Sequence, residues 1–183
     1  MQTYENMRNA IDGHAGYSIL TPAERAAVLN AIDTCSAVLE IGTFQGTTVS
    51  EWAKRRPMAS FLSVDNFSWV GDGSRRENIG RWIDNQQPNM RLFVGTVQEL
   101  FDFCSYFPHL DLVIVDGDHS YQACKKDLAT AKALLRIGGT IAVHDYATDN
   151  PSLCGVTKAV DEFCAEYHVS IHHTKGTVAF IQC

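Results

Sequence analysis

The sequence predicts a doubly wound α/β fold: a mostly parallel sheet of seven strands with an antiparallel C-terminal strand. Three observations carry this expectation. Short apolar runs alternate with helical patterns along the chain; Leu112 to Val115 is unbroken and apolar, as in a central parallel strand covered on both faces; and the last dozen residues read as a hairpin.

The elements follow in order. Thr21-Pro22-Ala23-Glu24 is a capping box with proline at the first helical position, so a helix is expected from Pro22 to Asp33. Ala37 to Ile41 reads as a strand, Gly42 to Gly46 as a turn, and Thr47 to Arg56 as a helix stopped by Pro57. Phe61 to Val64 is the next strand. Ser74 and Glu77 form a second capping box, opening a helix that ends before Pro88, and Arg91 to Val94 is a third strand. After Leu112–Val115, the residues Tyr121, Cys124, Leu128, Ala131 and Leu135 recur at spacings of three and four. They mark an amphipathic helix that Gly138-Gly139 is expected to end. Thr140 to Val143 is the fifth strand. Val156, Val160, Phe163 and Tyr167 mark the last helix, and Val169–His173 pairs with Thr177–Ile181 around Lys175-Gly176.

Composition narrows the function classes. With 15 basic and 21 acidic residues the chain carries −6, which disfavours a nucleic-acid partner because that needs a basic face. No apolar run exceeds four residues, far short of the roughly 20 that span a bilayer, so no membrane partner is expected. The opening MQTYENMRNA lacks the features of a signal peptide, and the expected location is cytoplasmic. Six scattered cysteines without a CxxC pair fit reduced thiols. No linker or repeat divides residues 1–183, so one domain is expected, with 1–20 as an N-terminal extension.

In open α/β sheets ligands bind beyond the carboxyl ends of the strands, and those positions are polar here: Glu40, Asp65-Asn66, Gly95-Thr96, Asp116-Gly117-Asp118-His119 and His144-Asp145. Glu40-Ile-Gly-Thr-Phe-Gln-Gly46 places Gly42 and Gly46 where backbone must turn sharply at a helix start. The dinucleotide fingerprint fits poorly, since Phe44 stands where its second glycine belongs, and no Lys-Ser/Thr pair follows Gly46 to make a P-loop. Asp65 lies 19 residues beyond Gly46, where a carboxylate can accept both hydroxyls of a ribose. A nucleoside without a pyrophosphate is the expected ligand.

These residues resemble the class I S-adenosylmethionine-dependent methyltransferases, whose first strand and turn read E/DxGxxxG and whose second strand ends in an acidic residue. The stretch LDLVIVDGDHSYQACKKDLATAKALLRIGGTIAVHDY is similar to that of small O-methyltransferases related to macrocin methyltransferase and cephalosporin hydroxylase type proteins. The resemblance covers Val38 to Tyr146 and implies a Rossmann-like S-adenosylmethionine-binding domain. It implies that the turn from Gly42 through Thr43 to Gly46 wraps the methionine part and Glu40 supports its amino group. Asp65 would hold the ribose, Thr96 and Val97 would edge the adenine, and Asn66 and Asp116 are expected among the cofactor-binding residues.

The resemblance further implies metal ligands at Asp116, His144 and Asp145. His144 brings nitrogen where oxygen is usual, which favours Mn²⁺, Fe²⁺ or Zn²⁺ over Mg²⁺; the same histidine would otherwise be a metal-free general base or a hydrogen-bonded strand-end residue. Asp118 or His119 could deprotonate the acceptor, while Asp118 could equally cap the following helix. His172 and His173, adjacent on a strand, are expected to face opposite sides and remain surface residues. In the loop Asn66–Gly73, Trp69 and Phe67 either line the ligand or anchor the loop. The leading expectation is methyl transfer to a small-molecule hydroxyl, with a homodimer left open. A nicotinamide-dependent oxidoreductase and a nucleoside-binding regulatory domain without turnover are the alternatives.

Overall fold

The computed structural model describes residues 10–71, 73–103 and 109–183; residues 1–9 of the expected extension and Cys104 lie outside the described residues. The strands are β1 (Ala37–Ile41), β2 (Ser60–Asp65), β3 (Met90–Val94), β4 (Leu110–Val115), β5 (Leu135–Val143), β6 (Ile171–Lys175) and β7 (Val178–Gln182). They form one sheet in the order β3-β2-β1-β4-β5-β7-β6. Strands β1 to β5 are parallel, and β7 pairs antiparallel with both β5 and β6. This is the doubly wound layout expected.

Strand alternation sorts side chains onto two covered faces. Leu39, Ile41, Val113 and Val143 point to one face, where α5 (Tyr121–Leu134) and α6 (Cys154–Tyr167) bury Cys124, Leu128, Val160 and Phe163 against them. Val38, Leu112, Ile114 and Phe180 point to the other. There α1 (Pro22–Ile32), α2 (Thr47–Arg55) and α3 (Arg75–Asn85) contribute Val28, Ile32, Trp52 and Trp82. Both expected capping boxes form, Thr21 with Glu24 and Ser74 with Glu77. Glu24 does more than cap: its buried carboxylate also accepts the backbone N–H and hydroxyl of Thr177, tying α1 to the β6–β7 turn.

Three expectations need correction. A helix α4 (Val97–Phe103) follows β3, opened by Thr96 with Glu99 in the same reciprocal pattern as the other two boxes. Gly138-Gly139 does not end α5, which stops at Leu134 as Leu135 turns straight into extended backbone. The two glycines instead sit in β5 at a register shift, where Gly138 takes a positive φ of 75°. A further shift between Ile171 and His173 brings His172 and His173 together, ring centroids 5.3 Å apart, rather than on opposite sides. Both remain exposed, as expected. The five cysteines among the described residues are free, and no helix there is long and apolar enough to cross a membrane.

Candidate active site

The carboxyl ends of the central strands are joined by a backbone ladder that continues past the strands themselves. Gly42 N–H donates to Val64, Asp116 N–H to Ile41 and His144 N–H to Val115, at 2.8, 2.8 and 3.0 Å. Each candidate residue is thereby fixed against the strand beside it. Gly42 has a φ of 87°, and a Cβ there would stand 2.0 Å from the Asp116 carbonyl oxygen. Glycine lets β1 and β4 turn away side by side.

A cavity of about 490 Å³ opens at these ends, within the size range of small-molecule sites. Its wall includes Gly42, Phe44, Asp65, Asn66, Thr96 and Val97 at one end, and Asp116, Asp118 and His119 at the other. Eight predicted residues therefore meet on one surface, together with Phe44. Glu40, Thr43 and Gly46 stand behind the turn rather than on the wall. Glu40 points to the α1–α3 face and is buried; burial, with repulsion from Asp116 and Asp65, pushes its carboxyl up to about 8 despite the hydrogen bond from Ser63 and the nearby Thr43 hydroxyl. Gly46 is the left-handed N-cap of α2, packed on Trp82.

Asp65 holds the turn as well as facing the cavity. Its Oδ2 accepts the Phe44 N–H at 2.7 Å and its Oδ1 the Phe67 N–H at 2.6 Å. Phe44 and Phe67 both have left-handed φ, 51° and 53°, an unusual conformation for aromatic residues that these bonds stabilise. Burial raises the Asp65 pKa, and the backbone donors oppose it. The two loop aromatics then divide roles: Phe67 is an anchor in the core, while Trp69 is 44% exposed, lines the cavity and lies 4.7 Å from the Phe44 ring.

Beside the other end four side chains converge, of which Asp116 and His119 reach the cavity wall while His144 and Asp145 are buried behind it. His144 Nδ1 is 3.0 Å from Asp116 Oδ1 and 3.5 Å from Asp145 Oδ2, and His119 Nε2 is 3.1 Å from Asp145 Oδ2 and 3.7 Å from Asp116 Oδ1. Ligand atoms of Asp116, His144 and Asp145 all lie within 4.8 Å of one another, so they could hold a metal ion. His119 Nε2 is buried without a properly aligned hydrogen bond. Burial alone would lower the His144 pKa, yet Asp116 and Asp145 raise it to about 9; burial would raise Asp116, yet the two histidines bring it to about 2. Asp145, with a left-handed φ of 61°, is raised by burial and by Asp116. Asp118 does not cap α5, a role Ser120 takes; it accepts the Ser120 N–H and faces the cavity. Asp127, on α5, is a wall residue that the sequence pattern did not single out.

A cleft at the strand ends of a doubly wound sheet, with a glycine turn, a carboxylate at the end of the second strand and a His/Asp cluster beside it, is the layout of a nucleoside-binding α/β enzyme. The chain belongs to the methyltransferase domain family, whose model matches residues 39–146. Its fold is similar to that of an O-methyltransferase family protein from Burkholderia thailandensis, at 13% identity and a TM-score of 0.63, covering 86% of this chain and 54% of that one. It is also similar to the Bacillus cereus O-methyltransferase solved in complex with SAH, at 22% identity and a TM-score of 0.62 over 89% and 80% of the two chains. A third similar structure is the TDP-rhamnose 3′-O-methyltransferase of calicheamicin biosynthesis, at 17% identity and a TM-score of 0.61 over 87% and 76%. The chain thus spans about half the length of the first of these and three quarters or more of the others. No curated protein matches it.

Proposed function

We propose that the protein transfers a methyl group from S-adenosylmethionine to a hydroxyl of a small molecule, with a divalent ion at the Asp116, His144 and Asp145 cluster. The observation that carries this is the continuity of one cavity from Asp65 and Thr96 to Asp116 and His119. The Bacillus cereus neighbour, solved with SAH, supports the cofactor. Gly42 and Phe44 frame the methionine part, Asp65 accepts from the ribose, and Thr96 with Val97 borders the base. The acidic wall attracts the cationic sulfonium and ammonium groups.

The residues present fit a metal ion: mixed nitrogen and oxygen donors, mutually close, with a buried histidine nitrogen aimed at them. When bound, such an ion lowers the pKa of an acceptor hydroxyl. The acceptor oxygen attacks the methyl carbon in line; the O–CH₃ bond forms as the S–CH₃ bond breaks, and its electron pair remains on sulfur. The hydroxyl proton passes to Nδ1 of His119, the ring nitrogen that does not face Asp116 and Asp145. The His119 ring lines the cavity.

The test is calorimetric titration with S-adenosylmethionine, followed by an acceptor panel with Mn²⁺, Fe²⁺, Zn²⁺, Mg²⁺ or chelator. Cofactor binding with metal-stimulated methylation of a hydroxyl supports the proposal. Absence of binding overturns it, and binding without transfer to any acceptor favours a regulatory nucleoside-binding domain.

A further inference from the structure

Four carboxylates line the cavity: Asp65, Asp116, Asp118 and Asp127. Three already accept hydrogen bonds from within the protein. Asp65 accepts from Phe44 and Phe67, Asp116 from His144, and Asp118 from Ser120. At the Thr96 end the Thr96 hydroxyl exchanges hydrogen bonds with Glu99, and Asn66 Oδ1 accepts the Ser68 N–H. Among the described residues no hydrogen bond or ion pair reaches Asp127.

The placement of Asp127 says which part of a ligand it meets. It follows Ala123 by one helical turn on the cavity flank of α5, and the next turn carries Thr130, whose hydroxyl contacts Gln98 on α4. Asp127 therefore stands on the side of α5 turned toward the Thr96–Val97 edge. Its Oδ2 lies 3.3 Å from where a Cβ on Gly117 would be, so the carboxyl rests against the backbone leaving β4. Burial and the neighbouring Asp118 raise its pKa to about 7. A half-buried acceptor without a donor is a costly arrangement that a ligand N–H would relieve.

We infer that Asp127 is the specificity-determining residue for the purine base, its carboxylate accepting a hydrogen bond from the exocyclic amino group of adenine. This rests on the cofactor assignment made above. It explains why an amino-purine would be chosen over a keto-purine: an oxygen at that position would face the carboxylate with no proton between them.

The experiment compares calorimetric affinities for S-adenosylhomocysteine and S-inosylhomocysteine at pH 8.5 in the full chain. The wild type should prefer the adenosyl ligand by about tenfold or more. Asp127→Ala should lose most of that preference by weakening the adenosyl ligand alone. Asp127→Asn, which keeps an acceptor and adds a donor, should hold adenosyl affinity within about threefold and bind the inosyl ligand better than wild type. Both variants should melt no lower than wild type, because an unpartnered carboxylate is removed; a structural role would lower the melting temperature. An unchanged preference in folded Asp127→Ala overturns the inference alone, whereas a wild type that binds neither ligand overturns the cofactor assignment and this inference with it.

Discussion

Asp65 Oδ2 accepts the backbone N–H of Phe44 at 2.7 Å, so the carboxylate at the end of β2 sets the shape of the glycine turn after β1. Asp65→Ala removes the acceptors of two backbone N–H groups as well as the proposed ribose contact. It should lower stability by about 2–4 kcal/mol and S-adenosylhomocysteine affinity by about ten- to a hundredfold. Thermal melts and calorimetry check the two effects separately; an unaltered melting temperature would show that the turn keeps its shape without Asp65.

The cluster at β4 and β5 should respond to metal identity. Alanine at Asp116, His144 or Asp145 should remove most metal-stimulated turnover with little change in cofactor affinity, and chelator should mimic it. His144→Asp presents an all-oxygen set, so the optimum should move from Mn²⁺ or Fe²⁺ toward Mg²⁺. Turnover profiles across the four ions read this directly, and an identical ion preference in the variant would remove His144 from the ligand set.

Glu40 predicts a pH dependence of stability. In the unfolded chain a glutamate releases its proton near 4.5, whereas burial holds the folded carboxyl at about 8. Between those values only the unfolded state ionises, so stability falls as pH rises through this window and levels off above 8. Glu40→Gln cannot ionise and should lack this slope, gaining a few kcal/mol over wild type by pH 8. Parallel denaturant titrations from pH 4.5 to 9 test it, and curves that run parallel throughout would contradict it.

The Glu24 link between α1 and the β6–β7 turn should be costly to break. Glu24→Ala strips acceptors from both Thr21 and Thr177, an expected loss of about 2–4 kcal/mol. Thr177→Val should cost less, since the backbone N–H of residue 177 keeps its bond. Equal losses in the two variants, measured by equilibrium unfolding, would mean that the hydroxyl carries the link.

Much of the framework was legible in the sequence because local signals agreed with tertiary placement. The Thr21 and Ser74 boxes opened helices where expected, and the apolar runs at β1 and β4 became central strands. The sequence pattern does not announce α4, although Thr96 and Glu99 carry the same capping pattern, because a helix of seven residues is too short for its periodicity to stand out. Gly138-Gly139 misled for a different reason: glycine stops a helix or relieves a register shift, and only strand pairing tells these apart. The partners of Asp116, His144 and Asp145 followed from adjacent strand ends. The turn-holding bonds of Asp65 and the free carboxyl of Asp127 did not, since each depends on how a loop or helix flank rotates against its neighbour.

The stepwise ladder from Val64 to Gly42, Ile41 to Asp116 and Val115 to His144 bears on how this protein could diversify. Its chemistry stands on a scaffold of main-chain bonds that are indifferent to side-chain identity, while Trp69 and its neighbours hang from loops outside that scaffold. Grafting a foreign segment in place of residues 68–71, which leaves Asn66 and Phe67 untouched, should therefore retune the choice of acceptor without displacing the carboxylates and imidazoles beneath it, and repertoire can widen at the rim while the hearth stays where it was laid.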